Sequence, residues 1–295
     1  MNDTATTGRP VLVGIGEGPD QGELVRHAAL HAGRHHSPLH LLHVADRPEA
    51  EGTLPDDGDT SGPSTGGSVL DGLVALVRSE FPDLPVTAET APGRAAEELL
   101  RRSSRSAALV LGHRGTGGSP RLPLGSVSWE VAAHADCPVL VIRPGETPAD
   151  PENRVVAGVD ISDVSEEALD LAFTEAELRG AHLEILHATF HPGELPAGPG
   201  LVAPDHQALD ESALLILEAE TAERRTRFPR VHVHSRVERI RPGTLLRDAS
   251  RHASLLVVGS HGRSGLRRLM LGSVSGEALH TSGCPVAVVP SGRTS

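Results

Sequence analysis

The chain has no lysine and no tyrosine, one Trp, four Phe and two Cys among 295 residues. Without lysine there is no Schiff-base chemistry and no phosphate-binding lysine of the G-x-x-x-x-G-K-[ST] loop. With so few aromatic faces there is little on which single-stranded nucleic acid could stack, and a net charge of −12 repels a phosphate backbone. Cys137 and Cys284 alone do not make the disulfide framework of an exported protein. No run approaches 18 consecutive apolar residues, and Met1 to Thr7 lack the basic and apolar regions of a secretory signal. A cytoplasmic protein with neither a nucleic-acid nor a membrane partner is expected.

What is abundant is Arg (27), His (17) and Gly (32). Protonating every His would carry the net charge from −12 to +5, so solubility should change steeply at a pH of about 6. The length suits two domains of about 150 residues better than one continuous core, and the chain is in fact written twice. Gly112, Gly115, Gly125, Ser126, Ser128, Glu130, Cys137 and Pro138 recur 147 positions later as Gly259, Gly262, Gly272, Ser273, Ser275, Glu277, Cys284 and Pro285. Near the copy starts the offset is 144, pairing Gly14 with Gly158 and His43 with His187. So long a period marks a duplicated domain rather than a solenoid. The polar, Pro-rich stretch from Pro144 to Asn153 is the seam, giving domains 1–147 and 152–295.

Within the second copy, Val155–Val159 reads as a buried parallel strand. A helical stripe over Ser165–Arg179 follows, with Ser162 or Ser165 as cap and Gly180 as stop. Strand 182–187, helix 210–227, strand 231–237, helix 243–253, strand 254–258, helix 273–281 and strand 285–289 complete the copy. The first copy repeats this order. The class is α/β: two tandem doubly wound open sheets of five mainly parallel strands. Segments 46–67 and 191–204, rich in Gly and Pro, are expected as mobile loops on the carboxyl side, where such sheets bind ligands.

Gly259-x-x-Gly262, nine residues, then Gly272-Ser273 lies between a strand and a helix start, and the first copy has the same pattern in Gly112, Gly115, Gly125 and Ser126. Glycine lets backbone N–H groups approach a ligand, the helix N-terminus adds oriented donors, and the hydroxyls of Ser273 and Ser275 could join them. The pattern is a phosphate cradle that needs no lysine. Arg263, Arg267 and Arg268 either clamp the phosphates or form a solvated loop. The cluster His35, His36, His40 and His43 lacks a convergent ligand spacing, so no metal site is assigned. Cys137 and Cys284, each before Pro, read as packed positions.

The G-x2-G-x9-G-[ST] motif, the V-x-V-D opening strand and Asp160-Ile161-Ser162-Asp163-Val164-Ser165 ahead of Ala168-Leu169 resemble the universal stress protein family over nearly the whole chain. The resemblance implies an adenine nucleotide alpha hydrolase-like, Rossmann-like fold and ATP, with or without Mg2+, as ligand. It implies Gly158, Val159, Asp160 and Ala188 around the nucleoside, and Val258, Gly259, His261, Gly262, Gly272, Ser273 and Val274 around the phosphates. In the first copy Gly112, Arg114, Gly115, Gly125, Ser126 and Val127 retain the phosphate half. Gly16 stands where Asp160 sits, and Gly18 and Gln21 replace Ser162 and Ser165, so the nucleoside half is degenerate. In the family the last strands pair across a dimer two-fold, which implies an intramolecular pseudo-dimer here, open to further homodimerisation.

The reading is a stress-response protein that binds ATP as a sensor or regulator, mainly through the second domain, with a regulatory protein as partner. No nucleophile–base pair or Walker lysine marks a turnover enzyme. Slow ATP hydrolysis stays open, with Asp160 and His261 the residues to test. The alternatives are a protein-interaction scaffold with vestigial nucleotide sites and, last, an enzyme related to adenine-nucleotide α-hydrolases by fold.

Overall fold

In a computed structural model, the structure describes residues 8–45, 65–113, 124–143, 153–162, 164–189, 206–260 and 271–291. They divide into two compact units, Met1–Pro144 and Gly145–Ser295.

Unit 1 runs β1 (Val11–Ile15), α1 (Gln21–Arg34), β2 (Leu39–Ala45), α2 (Thr65–Glu80), β3 (Val86–Pro92), α3 (Ala95–Ser103), β4 (Ala108–Gly112), α4 (Ser126–His134) and β5 (Val139–Ile142). Its strands are ordered β3-β2-β1-β4-β5, and every pairing between them is parallel. Unit 2 runs β6 (Arg154–Gly158), α5 (Glu166–Arg179), β7 (His182–Ala188), α6 (His206–Arg227), β8 (Val233–Glu238), α7 (Pro242–Ser250), β9 (Leu255–Gly259), α8 (Ser273–Thr281) and β10 (Val286–Val289). The order is β8-β7-β6-β9-β10, again parallel throughout. Each chain path therefore moves outward from its first strand in one direction and then returns to the other side. The reversal leaves a crevice at the carboxyl edge between β6 and β9, the place where an open α/β sheet receives a ligand.

Local chemistry explains the elements. In α5 the Ser165 hydroxyl accepts the Ala168 N–H at 3.2 Å, so of the two possible caps it is Ser165 that closes the N-terminus. At the other end Gly180 takes a left-handed conformation, φ 60° and ψ 33°, which glycine adopts without steric cost. Pro242 occupies the first turn of α7, where a missing N–H leaves no helical bond unmade. The apolar stripe of α5 buries Phe173 completely, and its ring lies 5.6 Å from that of Phe228 beyond the end of α6. Asp170 of α5 accepts from Arg224 of α6 at 2.7 Å and from Arg227 at 3.0 Å, tying the two helices together.

The inner strands are buried on both faces, yet β7 carries Glu184 with only 5% of its surface exposed. Arg154 of β6 donates to one carboxylate oxygen at 2.7 Å, and Arg236 of β8 lies 3.4 Å from the other. A buried carboxylate between two guanidinium groups avoids the desolvation cost of an isolated charge.

In unit 1 the Arg102 guanidinium, which donates to Glu89 from its two terminal nitrogens at 2.8 Å each, holds that carboxyl down at about 2. A depressed carboxylate stabilises the fold above its unfolded value, and that contribution disappears as pH falls from about 4.5 toward 2.

Cys137 and Cys284 are free thiols, 5% and 3% exposed. Burial pushes Cys137 up to about 12 and Cys284 up to about 11. Alkylation needs the thiolate, so labelling of the folded protein by iodoacetamide at about pH 8 should run at least a hundredfold slower than in denaturant. Two fast-labelling thiols in the folded protein would contradict this packing. Segment 46–67 was expected to be loop, but α2 begins inside it at Thr65, and the rest of it lies outside the described residues, as does 190–205.

Candidate functional site

At the carboxyl edge of unit 2 the exits of β6, β7, β8 and β9 and the starts of α6, α7 and α8 enclose a cavity of about 410 Å³. That volume lies within the range of small-molecule sites. Its floor is the end of β6. A Cβ on Gly158 would stand 2.9 Å from one methyl of Leu246, so glycine here lets the Leu246 side chain of α7 pack directly on the end of β6 beneath the site.

Asp160 stands two residues further on. One of its carboxylate oxygens accepts the Ser162 N–H at 3.0 Å and the Ser162 hydroxyl at 2.6 Å, an Asx turn that fixes the carboxylate at the cavity wall. The backbone beside it is held from β7: His187 Nδ1 lies 2.9 Å from the Val159 carbonyl. A carbonyl can only accept, so it is Nδ1 that donates in this contact. Unit 1 repeats the contact between His43 Nδ1 and the Ile15 carbonyl at 3.1 Å, which makes this histidine a brace shared by both copies.

The opposite end is the β9–α8 junction. Gly272 donates its N–H to the Ser260 carbonyl at 2.9 Å, and the first intrahelical bond of α8 is Gly276 N–H to the Gly272 carbonyl at 2.8 Å. Ser273, Val274 and Ser275 thus supply the N-terminal amide groups of a helix, a partial positive charge with donors directed out of the helix. Gly272, Ser273, Val274 and Gly259 all line the cavity. Ser275 departs from expectation. Its hydroxyl donates to the Gly259 carbonyl at 2.5 Å, as Ser128 does to Gly112 at 2.7 Å, so it ties the helix to the strand instead of serving a ligand.

Of the residues expected around the nucleoside and phosphates, Gly158, Val159, Asp160, Ala188, Val258, Gly259, Gly272, Ser273 and Val274 meet at this one cavity. His261 and Gly262, with Arg263, Arg267 and Arg268, lie outside the described residues, as do Arg114 and Gly115. In unit 1, Gly112, Gly125, Ser126 and Val127 sit at the equivalent β4–α4 junction, with Gly125 N–H bonded to the His113 carbonyl at 2.7 Å. The Gly16 N–H is taken by Gln21 Oε1 at 3.0 Å, in the place where unit 2 has a carboxylate. Of the clustered histidines, His40 bonds Thr87 at 2.8 Å and lies 3.6 Å from Glu89.

The sequence reading missed a third group of lining residues. Thr189 after β7, Asp210 in the second turn of α6 and Arg239 after β8 converge, with Arg239 donating to Asp210 at 2.6 Å and Thr189 to the other oxygen at 3.2 Å. Leu209 and Ala213 supply apolar surface beside them. The only sequence signal was their place just beyond strand ends or near a helix start. The cavity thus offers helix-end donors at one side, a fixed carboxylate in the middle and a polar pair on apolar walls at the other.

The sequence model of the universal stress protein family matches residues 8–143 and again 152–290. A universal stress protein of Mycolicibacterium smegmatis is 32% identical over 289 residues, covering 95% of this chain and 96% of that one. Another, from Mycobacterium tuberculosis, is 40% identical over 192 residues, 64% of each chain. Among solved structures, a universal stress protein from Archaeoglobus fulgidus superposes with a TM-score of 0.62 at 18% identity, covering 97% of this chain and 98% of that one. The family motif thus recurs in a fold shared along the whole chain, and the chain belongs to the universal stress protein family as a tandem of two family domains.

Proposed function

We propose that unit 2 binds ATP and that the protein works as a nucleotide-responsive regulator in a stress response, in the cytoplasm and with a regulatory protein as partner. The observation that carries this reading is a single cavity joining the Asp160 carboxylate to the amide-lined start of α8. An ATP molecule laid across the reversal point between β6 and β9 meets donors at its phosphates and an acceptor at its ribose hydroxyls. Mg2+ enters only as the ion ATP carries in solution. Slow hydrolysis is the variant of this reading that a phosphate-release assay would detect. For unit 1 the scaffold reading is favoured by one feature, the absence of a carboxylate at Gly16. The duplication also fits an intramolecular pseudo-dimer.

Asp160→Asn tests the site without dismantling it. The Ser162 N–H keeps the amide oxygen turned toward itself, so an NH2 group replaces the oxygen left for the ligand. Loss of a charged acceptor should weaken ATP binding by about tenfold or more in calorimetric titration. Unchanged affinity in the folded variant would refute the placement.

A further inference from the structure

We infer that Asp210 and Arg239 are specificity-determining residues for an amino-bearing purine, with Asp210 accepting from the exocyclic amino group of the base and Arg239 donating to a ring nitrogen. This rests on the ATP reading of the cavity. The argument begins with the strand order. Phosphates at the β9–α8 junction and a ribose at Asp160 place the rest of the nucleotide on the far side of β6, over the exits of β7 and β8. The polar side chains there are His187, Thr189, His206, Asp210 and Arg239, with the apolar Leu209 and Ala213 beside them against which a ring can lie. His187 is engaged by the Val159 carbonyl, whereas Asp210 and Arg239 form a pair.

The pair is organised for readout. Arg239 donates one N–H to Asp210 at 2.6 Å, and Thr189 donates to the other carboxylate oxygen at 3.2 Å. Each carboxylate oxygen has a second lone pair, and a guanidinium has five N–H groups. An acceptor and a donor therefore stand side by side, held in place, and complement an amino group beside a ring nitrogen. The position of α6 does not depend on this pair, because Asp170 with Arg224 and Arg227 anchors the helix further along.

Unit 1 supplies an internal contrast. Leu39 pairs with Val86 as Leu183 pairs with Val233, so the equivalents of Thr189 and Arg239 are Ala45 and Pro92. The copy without the Asp160 carboxylate also has apolar groups at these two positions.

The test is titration of the full chain with ATP and with the triphosphate of purine riboside, which lacks the 6-amino group. The wild-type protein should prefer ATP by about tenfold, the scale of one hydrogen bond to a charged group. Asp210→Asn, whose amide faces Arg239 with its oxygen and the base with its NH2, should bind the two nucleotides alike. Arg239→Ala should weaken both by about the same factor; its side chain is 47% exposed, so stability should hold. Equal binding of both nucleotides by the wild type, or full preference for ATP in Asp210→Asn, would overturn the inference while leaving the ATP reading intact. Failure of the wild type to bind either nucleotide would overturn both.

Discussion

Gly158→Val should abolish ATP binding, whereas Gly14→Val should cost stability alone. At Gly158 a Cβ would already lie 2.9 and 3.0 Å from the two methyls of Leu246, which is itself 3% exposed and lines the cavity. A β-branched side chain adds two further carbons, and the open direction for Leu246 is into the cavity. Relief of the clash therefore spends the space that the ligand needs. Overpacking of this kind costs about 1–3 kcal/mol. At Gly14 the clash is with Leu111 at 2.6 Å and Leu99 at 3.3 Å, both 2% exposed, in the unit whose opening strand ends in Gly16. A similar stability loss is expected there, with ATP affinity unchanged. Denaturant midpoints and titrations of both variants check the pair. A folded Gly158→Val protein that binds ATP like the wild type would show that the ligand sits elsewhere.

Glu184→Gln should lower stability by about 2 kcal/mol, roughly 4–8 °C in the melting temperature of a unit of this size. The neutral amide can bond one guanidinium through its oxygen but presents NH2 to the other, so one of the two guanidinium groups loses its ionic contact with residue 184. Arg154 is the more exposed to this loss of pairing, since its side chain is only 23% accessible against 41% for Arg236. The control is Glu80→Gln, which breaks the surface pair with Arg26 at 2.8 Å; a pair so exposed is screened by solvent, and its loss should barely move the melt. Equal losses for the two variants, read from thermal melts, would mean that burial adds nothing to the Glu184 cluster.

Much of the fold could be read from the residues, and the reasons differ by element. Helix α8 begins and ends where the motif and the apolar period place it, at Ser273 and Thr281, because Gly272 and the Ser-Gly-Cys-Pro run punctuate both ends. The reading of α5 succeeds for the same reason, with Ser165 and Gly180 as its terminal signals. Helix α6 starts at His206, four residues before the expected 210. Its first buried residue is Ala213, and the turn before that faces the cavity, so a search for a buried apolar stripe does not detect it. The same limit hides Thr189, Asp210 and Arg239, whose convergence depends on the β7–α6–β8 crossover and the parallel register of β7 with β8. Glu184 sits inside an apolar strand with no local partner, and only the register of β6, β7 and β8 brings its arginines to it. Ser275 shows the converse: its spacing beside Ser273 suggested a ligand donor, but spacing does not say which way a hydroxyl points, and this one points at Gly259.

Unit 2 brings Asp160, the helix-end amides, Thr189 and Arg239 to one cavity, whereas unit 1 has Gly16, Ala45 and Pro92 where Asp160, Thr189 and Arg239 stand. The most direct test of this asymmetry is the stoichiometry of ATP binding to the full chain by calorimetry, after any nucleotide carried through purification has been released and identified by chromatography. The account predicts close to one ATP per chain, lost or strongly weakened in Asp160→Asn. Two equal sites per chain, or a chain that is purified empty and takes up neither ATP nor AMP, would contradict it.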